Sequence, residues 1–404
     1  MAENSTEGKQ PYMTFDPPPT PTMETPVPGI RFDFNAGLRV SVPEGNYRVR
    51  FLDRDAALTV YDAKATGVIA TSTKRYFVNF RLEVYETKDG EETLIFSHDY
   101  DARGKRVLMK FAGAAMGDLL AWFPYAEAFR EKHGCELYVL MEERYCEILR
   151  AGYPEIHFLT PEDKRPEDLY ATYYVGLFAP WDDRNLQPTD WRVVGLQAHG
   201  AYLLGVEPKE TRPRLLPSPQ AAAIRPREPY VCIATQATAQ CKYWNNAPGW
   251  METVTYLKEA GYRVLCVDRE RVTVNGIFGN AIPYGAEDCT GDLTLQERVD
   301  LISGAAFFVG LASGLSWLAW GAGVPVVMIA GFTSPGTEFS TPYRVQQFQT
   351  CHSCGNDQRN EHVYGDFGSC PHHRGTDREF ECTRCITADA VKNTIERLRK
   401  ELAR

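Results

Sequence analysis

Two stretches of this chain repeat one pattern, a short apolar run followed by a run with helical spacing, and a proline-rich connection separates them. The first opens at Arg106-Val107-Leu108-Met109-Lys110-Phe111. A small-residue loop, Ala112 to Gly117, leads into Leu119, Trp122, Phe123, Ala126 and Phe129 at helical spacing, and Glu136-Leu137-Tyr138-Val139-Leu140 follows. The second opens at Tyr230-Val231-Cys232-Ile233-Ala234, passes a helical run from Trp250 to Ala260 ended by Gly261, and reaches Tyr262-Arg263-Val264-Leu265-Cys266-Val267. Short apolar runs suit strands buried on both faces, and strands alternating with helices form parallel sheets, since each parallel link needs a crossover. Prolines 208, 213, 217, 219, 226 and 229 mark the connection. Two α/β halves with a linker imply a cleft between them, and ligands of such sheets sit at the carboxyl ends of the strands.

The remaining segments frame these halves. Residues 1–29 read as a proline-rich arm, either extended or serving as an oligomer-contacting strap. Residues 30–103 read as a small β domain: Tyr47 to Leu52 and Phe77 to Tyr85 alternate apolar with polar, Lys88-Asp89-Gly90 supplies a turn, and Thr93 to Phe96 returns. The first α/β half is expected over 104–215, the second over 229–347, a cysteine module over 348–386 and a closing amphipathic helix over 387–404. The uncharged stretch between Asp300 and Glu338 is long enough to span a membrane. Its Gly310, Ser313, Gly314, Gly321, Gly323 and Pro325 instead divide it into strand, turn, helix and strand, so no membrane span is expected. Met1 to Gln10 is polar and lacks the apolar core of a secretory signal.

Five of the eleven cysteines lie between Cys351 and Cys385, as Cys351-x2-Cys354, Cys370 and Cys382-x2-Cys385. Two thiolates three positions apart can hold one ion from a tight turn. Four suffice for a closed tetrahedral site, which has no open position and so is structural. Cys382 and Cys385 compete for the fourth place, and His352, His362, His372 and His373 suit surrounding positions better than ligation. Zinc is the default ion for such thiolates. The net charge of −9 lacks the basic excess of a nucleic-acid binder, so a DNA-reading finger is not expected. Cysteines inside apolar runs suit reduced thiols in the cytosol.

Three turns carry candidate chemistry. Gly117-Asp118 opens the first helix, where the aspartate is either a cap for free N–H groups or a general base facing the cleft. Thr235-Gln236 and Lys242 follow the first strand of the second half; Lys242 is either a solvated lysine or a partner for an anionic group. Ser313-Gly314-Leu315-Ser316 precedes an uncharged helix, whose free N–H groups suit an anion, although tight packing also explains the glycines.

Together these turns, Gly-Asp, Thr-x6-Lys-x-Trp and Ser-Gly-Leu-Ser, resemble the ADP-heptose glycosyltransferases of the lipopolysaccharide heptosyltransferase class. The β region and the cysteine module ending Phe380-Glu381-Cys382-Thr383-Arg384 make the chain similar to the bacterial autotransporter heptosyltransferases. The resemblance implies a GT-B-like pair of Rossmann-like halves, with a cytoplasmic enzyme moving heptose from ADP-heptose to serines of an autotransporter adhesin with inversion. It implies Asp118 as base, Lys242 on the diphosphate, and Ala115, Met116 and Gly117 at the sugar. Thr235 and Gln236 lie near the diphosphate, and Ser313, Gly314 and Leu315 form the phosphate cradle. Asp268, at a strand end, is placed to meet a ribose hydroxyl. Cys351, Cys354, Cys370 and Cys382 are the implied metal ligands, iron (Fe3+) the implied ion, and a dodecamer the implied assembly. Ala312-Ser313 stands where the wider class often has Asp-Thr, which leaves a backbone role there but no side-chain role. Competing readings are a transferase with another nucleotide sugar or a lipopolysaccharide acceptor, and a non-enzymatic metal-stapled assembly protein.

Overall fold

The structure, a computed structural model, describes residues 15–111, 114–275, 278–360 and 368–404. Residues 1–14 of the proline-rich arm, Ala112 and Gly113 of the first loop, and His362 lie outside the described residues.

Each half is built on its own sheet. The second half has six parallel strands in the order Glu287–Asp288, Arg263–Cys266, Tyr230–Ala234, Phe308–Leu311, Val326–Ile329, Arg344–Val345. All five residues of Tyr230–Ala234 are buried, as a central parallel strand covered on both faces requires. The closing helix Ala388–Leu402 packs Val391, Ile395 and Leu398 into this half beside Val254 and Leu257. The uncharged stretch resolves into the strand Phe308–Leu311, the helix Gly314–Gly321 and the strand Val326–Ile329. Among the described residues no helix is long and apolar enough to cross a membrane.

The first half departs from the sequence expectation at its edge. The strands His157–Leu159, Glu136–Leu140, Arg106–Lys110 and Ala171–Tyr174 are parallel, but the sheet does not stop there. Arg31–Asn35 lies parallel beside Ala171–Tyr174, and Arg39–Val42 and Val68–Thr71 extend the sheet antiparallel. The boundary expected near residue 103 therefore does not divide the hydrogen bonding. The cause is a buried polar seam. Asn35 donates to Leu169 O at 3.0 Å and accepts from Thr172 Oγ1 at 2.6 Å, while Asp33 is held by Arg39. A buried pair without these partners would be costly, so the strand is held where they are. Of the expected β region, the strands Leu58–Ala65, Tyr47–Asp53, Phe80–Lys88 and Glu91–Asp99 form a separate four-stranded antiparallel sheet. Its hairpin turns at Asp89 and Gly90, with φ of 54° and 83°, the paired positive values of a tight two-residue turn.

The described part of the arm lies on its own chain. The Phe15 ring meets Tyr174 at 4.6 Å, Asp16 accepts from Tyr174 Oη at 2.7 Å and pairs with Lys110, and Arg39 donates to Pro18 O at 2.7 Å.

The helix Met116–His133 buries more than the face marked by Leu119, Trp122, Phe123, Ala126 and Phe129. Leu119 through Ala126 are buried without interruption, because the helix is sandwiched between its sheet, the helix Leu196–Leu203 and the helix Gly314–Gly321. Trp122 Nε1 donates to Leu196 O at 2.9 Å. A helix covered all round loses its polar face.

Candidate active site and metal centre

Two helix starts meet head to head. A Cβ on Gly117 would lie 3.0 Å from the Trp317 ring and 3.4 Å from Gly314 Cα. One on Gly314 would lie 2.8 Å from Met116 Cε and 3.3 Å from Gly117 N. Glycine at both positions is what permits the approach. It brings Ala115, Met116, Gly117 and Asp118 of the first half up to Ser313, Gly314 and Leu315 of the second.

Asp118 is the third residue of its helix, and Ala115 is the N-cap. The Asp118 side chain does not occupy the N-cap; it accepts from the Ala115 backbone, as a third-position acid does in a capping box. Burial pushes its pKa up to about 6; Lys242 pulls it back, and Glu338 adds to the rise. These three charges from separate segments therefore share one region. Glu338 is itself buried and paired with Arg344 at 3.0 Å. Nothing in the local sequence marked it, since it closes the uncharged stretch as an ordinary surface charge would.

The opposite helix start carries no charge. Ser313 is the N-cap, with extended φ and ψ of −149° and 175°, and its hydroxyl makes no cap bond. The first N–H groups of a helix have no partner within it. Those of Gly314 and Leu315 thus point out of the helix start with its favourable dipole, an arrangement suited to phosphate.

Lys242 ends a single 3-10 turn, Gln240–Lys242, with its Nζ over the Phe332 ring at 5.7 Å. Thr235, Gln236 and Asp268 form one hydrogen-bonded group beyond the ends of two neighbouring strands. Asp268 is fully buried just past its strand. Its carboxylate accepts from Thr235 N at 2.9 Å, Thr235 Oγ1 at 2.8 Å and Gln236 N at 3.1 Å. Burial raises its pKa against the lowering effect of these bonds. Thr235 Oγ1 also accepts from Asn280 Nδ2 at 2.7 Å, and Gln236 Nε2 donates to Glu270 O at 2.7 Å. These polar groups hold the loop after the strand; they are spent on the protein itself. Buried Arg298 completes the brace, donating to Val267 O at 3.3 Å, Asp268 O at 3.2 Å and Gly291 O at 3.0 Å.

The cysteines converge from three segments. Burial raises the Cys354 thiol, and Cys241, Cys382, Cys370 and Cys351 add to it; around Cys382 the added neighbours are Cys370, Cys351 and Cys241. Cys385 is exposed and absent from both sets. Cys351, Cys354, Cys370, Cys382 and Cys385 form no disulfide. The sequence alone does not place Cys241 or Glu381 at this cluster. Cys241, the residue before Lys242, packs with Cys370 and Phe380. Cys351, His373 and Glu381 each offer one ligand atom within 4.8 Å of the others, and Glu381 also accepts from Cys351 N at 2.9 Å.

Two family profiles match the chain: the N-terminal domain of glycosyltransferase TibC over residues 26–88, and glycosyltransferase family 9 (heptosyltransferase) over residues 191–366. The class is thus a glycosyltransferase of the heptosyltransferase type. The autotransporter heptosyltransferase BAHTCr of Citrobacter rodentium is 47% identical over 386 residues, 96% of this chain and 93% of its own. TibC of Escherichia coli is 46% identical over 387 residues, again 96% and 93%. Its crystal structure, described as an iron-containing dodecameric glycosyltransferase, superposes with a TM-score of 0.89 over 96% of this chain and 100% of that one. A second TibC structure is a complex with ADP-D-β-D-heptose. BimC of Burkholderia thailandensis, named an inactive autotransporter heptosyltransferase, is 39% identical over 94% of this chain and 88% of its own. The chain belongs to the autotransporter heptosyltransferase family.

Proposed function

We propose that this chain is an active, inverting O-glycosyltransferase that moves heptose from ADP-heptose to serine hydroxyls of an autotransporter adhesin in the cytoplasm. Because the family includes a member named inactive, membership alone does not carry catalysis. The observation that does is Asp118, raised to about 6 and facing Lys242 and the uncharged helix start.

Asp118 takes the proton of the serine hydroxyl as its oxygen bonds to the anomeric carbon. The bond from that carbon to the β-phosphate oxygen breaks, and ADP leaves with the electron pair. A base with its pKa near the working pH is better matched to this transfer than an ordinary aspartate. Lys242 and the N–H groups of Gly314 and Leu315 meet the charge that grows on the leaving phosphate. One displacement inverts the centre. Ala115, Met116 and Gly117 border the sugar. Thr235 and Gln236 are placed near the diphosphate and Asp268 near the ribose, on a loop that their mutual hydrogen bonds hold in shape.

The donor set fits a thiolate metal. Cys354 and Cys382 are buried thiols ringed by other thiols, and a cation among them removes the mutual repulsion of their thiolates. Cys351, Cys354, Cys370 and Cys382 would hold it, iron by likeness to TibC. The ion supplies a cross-link within residues 348–386, and no catalytic step passes through it. The same likeness supports a dodecamer, and the acceptor and donor sides are assigned to residues 104–215 and 229–347.

The test is mass spectrometry of an adhesin passenger co-expressed with the chain. Heptose on serines, lost with Asp118→Ala, supports the reading; an unmodified passenger beside a folded, metal-loaded enzyme overturns it. Elemental content of the purified protein decides between iron and zinc.

A further inference from the structure

The cysteine cluster is joined to the lysine turn by one continuous set of contacts. Thr383, next to Cys382, is fully buried, and its Oγ1 accepts from Asn245 Nδ2 at 2.9 Å. The same Asn245 amide donates to Tyr243 O at 2.9 Å, and its oxygen accepts from Gln240 Nε2 at 2.7 Å. One side chain therefore closes both ends of the turn that carries Lys242. Trp244 Nε1 donates to Ile386 O at 2.9 Å, and Asn246 Nδ2 to Arg384 O at 2.9 Å. From the other side, the Phe332 ring lies 5.7 Å from the Lys242 Nζ. A Cβ on Gly355, the neighbour of Cys354, would strike that ring at 2.6 Å, and Gly355 N donates to Phe332 O at 2.8 Å. Gly331 packs equally tightly on Cys382 and Thr383. Cys354 and Cys382 thus each adjoin a residue that touches the seat of Lys242.

We propose that Thr383 and Asn245 are positioning residues that couple the metal centre to Lys242, so that metal retention and diphosphate binding reinforce each other. The proposal rests on the donor assignment made above for Lys242. A metal that fixes Cys382 and Cys354 fixes Thr383 and Gly355, and through Asn245 and Phe332 it fixes the ammonium. Linkage makes the effect reciprocal: whatever factor the metal adds to ADP affinity, ADP must add to metal affinity.

The experiment has two arms. In the first, the metal-loaded wild-type protein is titrated with a chelator, with and without saturating ADP, and metal release is read by its thiolate-to-metal absorbance. ADP should raise the chelator concentration needed for half release by about fivefold or more, the lower end of ordinary coupling. In the second, ADP affinity is measured by calorimetry for Thr383→Val and Thr383→Ser, with metal content measured on the same samples. The valine variant should bind ADP about tenfold more weakly with metal retained, and serine, which restores the hydroxyl, should return it toward wild type. If the valine variant purifies without metal, the chelator arm decides. Wild-type protein that binds no ADP overturns the donor assignment and this inference with it. Wild-type protein that binds ADP but releases metal at the same chelator concentration overturns the coupling alone.

Discussion

The two helices that meet at the cleft begin in the same way and end up as opposites. Met116–His133 and Gly314–Gly321 both follow a strand with parallel neighbours, and each has within its first two residues a glycine pressed against the other helix. The first carries an acid in its opening turn, and the second carries no acid there. A carboxylate at a helix start uses the positive end of the dipole; a start without one leaves that end for a ligand. The same local fold therefore leaves a carboxylate on one side and an uncharged helix start on the other.

Removing the acid tests this contrast most severely. Asp118→Asn should lower kcat by about 10²–10⁴-fold while leaving ADP affinity near wild type, by heptose-transfer kinetics and calorimetry. Equal loss in both would mean that the side chain organises the cleft and is not the base. Making the second helix start resemble the first should have the next largest effect. Ser313→Asp places a carboxylate before the cradle and should raise the ADP Kd by at least about tenfold, while a capping acid holds or raises Tm.

The pH profile gives a finer test. With Asp118 at about 6, kcat/KM should fall about tenfold per unit below that pH as the base is protonated. Glu338 holds the value up, so Glu338→Gln should move this limb to lower pH; Lys242 holds it down, so Lys242→Met should move the limb to higher pH in whatever activity survives. The smallest effect is on stability. The folded pKa of Asp118 lies above its unfolded value of about 4. Its ionisation penalty is absent below pH 4, builds between about 4 and 6, and is complete above 6. At pH 7.5 Asp118→Asn should therefore raise Tm, on the order of 1–2 °C, and at pH 4 it should not.

Much of this was legible because it is local. Tyr230 to Ala234 could only be a buried strand, Asp89-Gly90 could only turn tightly, and Asp118 followed a strand and a small-residue loop. What was not legible depends on distant partners. Arg31–Asn35 joins the first sheet through Leu169 and Thr172, far along the chain. The position of Asp268 near a strand end was readable, but its bonds to Thr235 and Gln236, far back along the chain, were not. Cys241 stands more than a hundred residues before the other cysteines, and spacing rules see only neighbours. Glu338 owes its effect on Asp118 to a fold that brings the end of one half to the start of the other.

The crossing of Gly117 and Gly314 sets the mechanical tolerance of the contact between the two helix starts. A single methyl group at either position would act as a shim between the halves. It would widen the gap between carboxylate and cradle before it disturbed either core, so the first casualty of such a change would be alignment, with the folded protein still intact.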